Sequence, residues 1–157
     1  MNENGTYRDN VFYSTIGETY IDIAFQTAYA ADPSAKLYYN DYNIEYGGDK
    51  STAALALAKR LLDADIPIHG VGFQGHFEVG DTPDATDLAS NLAGYTALGL
   101  EVAYTEVDVR FTSLPPTDAG LAQQSTDYAS VATACLNTAG CVGITVWDFD
   151  DAVSRLQ

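Results

Sequence analysis

The chain has 157 residues, of which 7 are basic and 22 acidic, so its formal net charge at pH 7 is −15. Its hydrophobic fraction of 46% is sufficient for the core of one globular domain, and two independent domains would be crowded. The acidity argues against nucleic acid and anionic membrane surfaces as partners, because both are bound through clustered Lys and Arg. A neutral polymer such as a polysaccharide is compatible with this charge.

Targeting and metal-binding signals are absent from the sequence. No segment approaches the roughly 18 apolar residues of a membrane span, and the polar N-terminus does not have the pattern of a signal peptide. Cys135 and Cys141 have five residues between them, which matches no zinc motif. From the spacing alone they are either free or joined in a small disulfide loop, which would imply an oxidising compartment. We predict no metal site and no cofactor.

Four predicted strands alternate with four predicted helices. The strands are Lys36–Tyr42, Ile68–Gln74, Leu100–Val109 and Cys141–Trp147. The helices are Phe12–Ala31, Ser51–Asp63, Asp84–Leu98 and Asp118–Leu136. The strands begin near residues 37, 68, 100 and 141, so the intervals are 31, 32 and 41 residues, the size of a βαβ unit. This order predicts an α/β fold with a parallel sheet.

Two local details of the helices are also predicted. The first helix carries a stripe of residues at helical spacing, which predicts one packed face: Phe12, Ile16, Tyr20, Ile23 and Thr27. Ser51 precedes the alanine- and leucine-rich second helix and is predicted to be its N-cap.

Polar and aromatic side chains follow each predicted strand. In parallel α/β proteins, ligands bind at the carboxyl ends of the strands. The candidates at these ends are Asn40, Tyr42, Asn43, Gln74, His76, Glu106, Asp108 and Trp147. We therefore predict one site built from all four strand ends.

Glu106 lies inside an apolar strand, where a carboxylate must be paired or solvated. A period of two would place it on one face with Tyr104 and Asp108, beside His76 of the adjacent strand. This arrangement predicts a polar pocket; the alternative is a buried ion pair with Arg110. The other histidine, His69, is interpreted as a surface or core residue.

Four segments together resemble those of glycoside hydrolase family 10 xylanases, in order and in spacing. They are residues 31–43 (Ala-Asp-Pro to Leu-Tyr-Tyr-Asn-Asp-Tyr-Asn), 70–76 (Gly-Val-Gly-Phe-Gln-Gly-His), 101–110 and 141–147 (Cys-Val-Gly-Ile-Thr-Val-Trp). The resemblance covers almost the whole chain. It implies an eight-stranded (β/α) barrel that cleaves internal β-1,4 bonds of xylan with retention of configuration.

The resemblance also implies a role for each candidate residue. Glu106 would be the nucleophile, His76 would orient it, and Asp108 would support His76. The substrate-binding residues would be Asn40, Tyr42 and Asn43, with Gln74 lining the subsite of the attacked sugar and Trp147 forming a stacking wall. Tyr42 and Asn43 would contact the sugar on the leaving-group side. Cys135 and Cys141 would form a disulfide found in many secreted members, which implies an extracellular parent enzyme.

Residues 1–157 resemble only part of that domain, namely strands five to eight, the C-terminal half of a TIM (β/α)8 barrel. The family's acid/base glutamate ends a Trp-Asp-x-x-Asn-Glu motif on the fourth strand, which these 157 residues do not contain. Asn2-Glu3 matches a loop that follows the motif rather than the motif itself. A second departure is Arg155, which replaces a family tryptophan near Ser154, and the chain stops before the final helix.

Three hypotheses follow. The chain could be the working half of a xylanase, or an inactive sugar-binding or vestigial half-barrel that lacks the acid/base group. A different polysaccharide hydrolase on the same fold is the third. The predicted ligand is xylan or a xylo-oligosaccharide, and the predicted protein partner is the missing N-terminal half or a second copy of the chain.

Overall fold

The computed structural model describes residues 1–148, and Arg155 therefore lies outside the described residues. The helices are α1 (Val11–Ile16), α2 (Tyr20–Ala31), α3 (Asp49–Asp63), α4 (Ala85–Thr96) and α5 (Asp118–Asn137). The strands are β1 (Tyr38–Asp41), β2 (Gly70–Phe73), β3 (His76–Glu78), β4 (Glu101–Arg110) and β5 (Cys141–Val146). The predicted alternation of strands and helices is confirmed.

All strand pairs of the sheet are parallel, and β4 is the neighbour of β2, β3 and β5. β1 pairs with β2, β2 and β3 both pair with β4, and β5 pairs with the other edge of β4. β2 and β3 are thus two segments of one strand, interrupted at Gln74 and Gly75. The parallel sheet was predicted, whereas β3 was not.

The prediction of one continuous first helix is wrong, because a non-helical segment separates α1 from α2. Gly17 ends α1 with φ = 79°, a left-handed conformation that glycine adopts without strain. The predicted stripe is not a packed face either, since Phe12 is 60% and Ile23 is 47% exposed. Ile21 is the residue of α2 that is buried.

The predicted N-cap of the second helix is also wrong. α3 begins at Asp49 after Gly48, so Ser51 lies within its first turn. The Ser51 hydroxyl is buried and donates to the Asn91 side chain at 2.9 Å. It therefore joins α3 to α4 rather than capping α3.

The hydrophobic core includes one face of the sheet and residues of helices α3, α4 and α5. The sheet contributes Val71, Phe73, Val102, Tyr104, Val107 and Val109, and the helices contribute Leu57, Leu61, Leu88, Leu92 and Val131. The other face of the sheet carries polar side chains: Asn40 of β1 is hydrogen-bonded to Thr105 and Glu106 of β4. The fold thus separates an apolar face from a polar one.

A β-bulge divides β4. Tyr104 pairs with Ile144 and Val107 with Val146, so three steps along β4 match two along β5. Thr105 and Glu106 consequently share one face, and Tyr104 lies on the other, 1% exposed with its ring 6.1 Å from that of Phe73. The prediction that Tyr104 shares a face with Glu106 is therefore wrong.

Cys135 near the end of α5 and Cys141 at the start of β5 form a disulfide, with a Cα–Cα distance of 5.3 Å. We expect Cys135→Ser/Cys141→Ser to lower the free energy of unfolding by about 2 kcal/mol, because a loop of this length gains conformational entropy when it is opened. Urea unfolding of the oxidised wild type and the double variant measures the difference. An unchanged midpoint would contradict the prediction.

Candidate active site

The carboxyl ends of the strands surround an open cleft of about 640 Å³. Its lining is polar and aromatic and includes five of the eight predicted site residues. The lining residues are Tyr42, Asn43, Tyr46, Gln74, His76, Phe77, Glu78, Asp81, Asp108 and Arg110. The strand order brings these side chains together mainly from the segment after β1, the β2–β3 turn, β3 and β4.

Glu106, His76 and Asp108 form a linked series beside this cleft. His76 Nε2 lies 3.4 Å from Glu106 Oε2, and His76 Nδ1 lies 2.9 Å from Asp108 Oδ2. An ionised Asp108 can only accept this hydrogen bond, and His76 Nδ1 would then be its donor. Asp108 is buried, whereas Glu106 is partly exposed, so only the Glu106 end of the series is open to a ligand.

Asn40 holds Glu106 from the opposite side. Its amide nitrogen donates to Glu106 Oε1 at 3.4 Å, and its amide oxygen accepts from the Thr105 hydroxyl at 2.9 Å. The bulge in β4 makes this possible, since it turns Thr105 and Glu106 to the same face. Asn40 therefore orients the carboxylate that His76 also contacts.

The alternative ion pair between Glu106 and Arg110 is not formed. Arg110 pairs with Glu78 of β3 instead, at the end of β4. The Glu106 carboxylate accepts from uncharged Asn40 and lies 3.4 Å from His76 Nε2, and no arginine among the described residues forms an ion pair with it. The second histidine, His69, is structural: its Nδ1 accepts from the backbone N–H of Leu37 at 3.0 Å.

Tyr42 and Asn43 follow β1, and contacts with Lys50 and Glu3 hold their side chains in place. Buried Lys50 of α3 places its Nζ 3.6 Å from the centre of the Tyr42 ring, a cation–π contact that fixes the ring plane. The Asn43 side-chain nitrogen donates to Glu3 Oε2 at 3.1 Å, and Glu3 Oε1 lies 3.1 Å from Lys50 Nζ. Lys50 and Glu3 were not singled out from the sequence as supports of the site.

Glu3 has the environment of an ionised carboxylate. Burial opposes its ionisation, but hydrogen bonds from Asn43 and Lys50 outweigh that effect and hold the pKa of Glu3 below its ordinary value. A general acid must carry a proton at working pH. This position is therefore unsuited to proton donation, in line with the interpretation of Glu3 as a loop residue.

Gln74 and Trp147 complete the set of predicted residues. Gln74 lies in the turn between β2 and β3, where its N–H donates to the Asp41 carbonyl at 3.0 Å. Trp147 follows β5; its ring is 41% exposed and stands nearly perpendicular to that of His76, with 6.3 Å between the ring centroids. Trp147 is thus next to the Glu106–His76 pair and open to a ligand.

Glu45 is a buried carboxyl that the sequence reading missed. It is 2% exposed, lies in the segment after β1, and accepts from the Gly75 N–H at 2.7 Å. Burial raises the pKa of Glu45. Hydrogen bonds from the backbone and the electrostatic effect of nearby His76 oppose the rise. Residues in an irregular segment follow no periodic pattern, so the sequence did not indicate that Glu45 is buried beside the site.

The raised pKa of Glu45 predicts a specific pH dependence of stability. The folded chain holds this proton to a higher pH than the unfolded chain does, so the contribution of Glu45 is most favourable in acid and declines as pH rises above the ordinary carboxyl pKa. We expect Glu45→Gln to remove this decline. Urea unfolding of both proteins between about pH 4 and pH 8 should show the variant gaining stability relative to wild type as pH rises; a constant difference would contradict the prediction.

Among residues 1–148, no three His, Cys, Asp or Glu side chains cluster in a way that could hold a metal ion. Within the same residues, no helix combines the length and the hydropathy that crossing a membrane requires.

A parallel α/β sheet with a carboxylate, a histidine and exposed aromatic rings at its carboxyl edge is an arrangement suited to polysaccharide hydrolysis. Comparison with known proteins makes the assignment specific: the sequence profile of glycosyl hydrolase family 10 matches residues 1–157. The chain belongs to that family.

The relatives are endo-1,4-β-xylanases. The chain is 58% identical over 154 residues to endo-1,4-beta-xylanase D of Talaromyces funiculosus and 53% identical over 154 residues to endo-1,4-beta-xylanase A of Phanerodontia chrysosporium. Each match covers 98% of the chain but only 38% and 37% of the two relatives. The chain thus spans little more than a third of their length.

Solved structures show the same relationship. An endo-1,4-beta-xylanase of Penicillium canescens superposes with a TM-score of 0.94 at 44% identity, over 99% of this chain and 49% of that one. A family 10 xylanase of a Bispora species, solved with xylobiose, superposes with a TM-score of 0.91 at 46% identity, over 97% of this chain and 46% of that one. These family 10 structures are TIM barrels, so the predicted fold class, a partial TIM barrel, is confirmed.

Proposed function

We propose that this chain forms the nucleophile side of a retaining endo-1,4-β-xylanase site, with Glu106 as the nucleophile. The observation that carries the proposal is the Glu106–His76–Asp108 series, in which the partly exposed carboxylate lies at the edge of the cleft and is held by a histidine. In such a site the carboxylate attacks the anomeric carbon of a xylose unit while the glycosidic C–O bond breaks. An acid protonates the leaving oxygen, and water later releases the sugar from the carboxylate.

His76 and Asp108 serve this step by position. The Asp108 carboxylate fixes the proton on His76 Nδ1 and so turns Nε2 toward Glu106. Asn40 holds the second oxygen of Glu106. Together they leave the carboxylate one productive orientation, which reduces the entropic cost of attack.

The proposed ligand is xylan or a xylo-oligosaccharide. A related structure contains xylobiose, and the cleft offers the aromatic and amide groups that neutral sugars require. Tyr42 and Asn43 would contact the sugar on the leaving-group side, Gln74 would line the subsite of the attacked sugar, and Trp147 would stack on a ring. Lys50 and Glu3 would keep Tyr42 and Asn43 in place.

We further propose that residues 1–157 are part of one catalytic domain, the C-terminal half of its barrel, and that the parent enzyme acts outside the cell. The match of almost the whole chain to about half of each related structure supports the first statement. The disulfide supports the second, because such bonds persist in oxidising compartments.

A second candidate function is sugar binding without catalysis by these 157 residues. The observation that favours it is the absence of a Trp-Asp-x-x-Asn-Glu motif: the one tryptophan, Trp147, is followed by Asp148 but not by Asn-Glu at the required spacing. Retaining hydrolysis needs an acid/base carboxyl about 5 Å from the nucleophile. Glu3, tied to Lys50 and Asn43, does not supply a protonated one.

Covalent labelling tests the proposal for Glu106 without a general acid. A dinitrophenyl xylobioside that is fluorinated beside the anomeric carbon has a leaving group that departs unprotonated, and the sugar remains attached to the nucleophile. We expect intact mass spectrometry to detect one added sugar and peptide mapping to place it on Glu106. Labelling at another carboxyl would overturn the assignment, while tight xylotriose binding without labelling would favour the second candidate.

We also propose that the chain, when purified alone, pairs with a second copy. Strand β5 presents an apolar edge, with Val142 58% and Val146 61% exposed, and such edges associate in water. Sedimentation velocity is expected to show a dimer, and Val142→Lys/Val146→Lys should shift the distribution toward monomer. A wild-type monomer at all concentrations would contradict the prediction.

A further inference from the structure

Glu45 is a buried carboxyl that has no part in the proposed chemistry, although it is bonded to the turn that precedes His76. Its Oε1 accepts from the N–H of Gly75, the residue directly before His76. Gly75 has φ = 79°, and a Cβ there would lie 3.1 Å from Val107 and 3.3 Å from Tyr104. The turn is therefore packed tightly, and its N–H points into the protein interior rather than into water.

The same turn is bonded to both functional residues of β4. The Gln74 carbonyl accepts from the Glu106 N–H at 2.9 Å, and the Gly75 carbonyl accepts from the Asp108 N–H at 3.1 Å. A shift of the Gln74–Gly75 turn would therefore move the backbone of Glu106 and Asp108. It would also move His76, which directly follows the turn. Glu45 fixes the N–H of Gly75, which is not bonded to β4.

A buried carboxyl is costly to desolvate compared with a neutral acceptor of the same bond. The Glu45 carboxyl is stabilised by the Gly75 N–H and by the backbone of residues 44 and 45. Glu45 also interacts electrostatically with His76, and this interaction favours its ionised form. His76 thus has three carboxyl groups near it from two parts of the fold: Glu45 from the segment after β1, and Glu106 and Asp108 from β4.

We propose that Glu45 is a positioning residue of the site, which holds the Gln74–Gly75 turn so that His76 meets Glu106. This inference rests on the proposed function for its catalytic consequence, but the contact between Glu45 and the His76 turn can be tested separately. A residue that acts only on global stability would not affect His76 in particular.

Asp127 provides a matched control. Like Glu45, it is a buried carboxyl that accepts from the N–H of a left-handed glycine, Gly80, at 2.8 Å. It lies on α5, and its hydrogen bonds come from Gly80 and from the Gln123 side chain rather than from Glu106 or His76. Asp127→Leu therefore removes the same kind of bond at a different place.

The experiment compares Glu45→Met, Glu45→Gln and Asp127→Leu in the full 157-residue chain by two readouts. The first is the nitrogen-15 NMR spectrum of the imidazole rings, in which His69 is an internal reference because the chain has two histidines. The second is the rate of labelling at Glu106 by the fluorinated dinitrophenyl xylobioside. We expect Glu45→Met to shift the His76 signals and to slow labelling by about 10- to 100-fold, the usual cost of misplacing a catalytic group.

Glu45→Gln keeps an oxygen acceptor for the Gly75 N–H, so it should restore most of the His76 spectrum and of the labelling rate. Asp127→Leu should lower stability but leave both readouts unchanged. Equal effects of Glu45→Met and Asp127→Leu on His76, or no effect of Glu45→Met, would overturn the inference. If wild type is not labelled, the proposed function fails, and the NMR spectra alone decide whether Glu45 positions His76.

Discussion

Glu106→Gln is expected to abolish the burst of dinitrophenol that the chain releases from dinitrophenyl xylobioside. The amide is nearly the same size as the carboxylate and can still bond to Asn40, but it cannot form a glycosyl ester. We expect a rate loss of at least roughly 10³-fold, the order seen when the nucleophile of a covalent mechanism is removed. Stopped-flow absorbance of the released phenol measures it.

The control for this prediction is Thr105→Val, which removes the hydroxyl bonded to Asn40 but leaves Glu106 in place. It should retain far more activity than Glu106→Gln. Circular dichroism of both variants checks that the fold is unchanged. A burst of wild-type size from Glu106→Gln would show that another group attacks the sugar, and the assignment of the nucleophile would then be wrong.

The second large effect concerns xylan itself. The 157-residue chain alone is expected to hydrolyse xylan about 10²–10⁴-fold more slowly than a complete enzyme, because general acid catalysis contributes a factor of this size. A suitable complete enzyme is a chimera in which the chain replaces the 154 matching residues of the Talaromyces funiculosus xylanase. Reducing-sugar release measures xylan turnover in both proteins.

The leaving group provides the check. On dinitrophenyl xylobioside the chain and the chimera should differ much less than on xylan, since that leaving group needs little protonation. Changing the chimera's acid/base glutamate to alanine should make it resemble the chain in both assays. Xylan turnover by the chain at the rate of the chimera would contradict the prediction and would mean that these residues contain a proton donor.

Much of the site was predictable because of one topological rule. In a parallel sheet all carboxyl ends meet at one edge, so polar residues that follow four separate strands can be expected to converge. The structure does bring Asn40, His76 and Glu106 together in this way. The resemblance to a known family then supplied the roles that residue types alone left open.

The features that were missed have no periodic signature. Gly17 breaks the first predicted helix through a single backbone torsion, although the apolar spacing runs on past it. The bulge in β4 changes the face of Tyr104 without changing residue type. Glu45 contacts the Gly75 N–H, and Lys50 contacts the face of the Tyr42 ring. Neither contact could be predicted from the sequence, because both depend on where the irregular segments lie in three dimensions.

The bulge in β4 has a consequence for variation in this protein. Four residues of β4, Tyr104 to Val107, lie opposite three residues of β5, so this segment of β4 has one more residue than a regular strand would need. Deleting Thr105 would restore a regular strand and displace the backbone by up to one step, about 3.3 Å, whereas catalytic groups tolerate about 0.5 Å. In this stretch the number of residues is therefore constrained as well as the identity of Glu106.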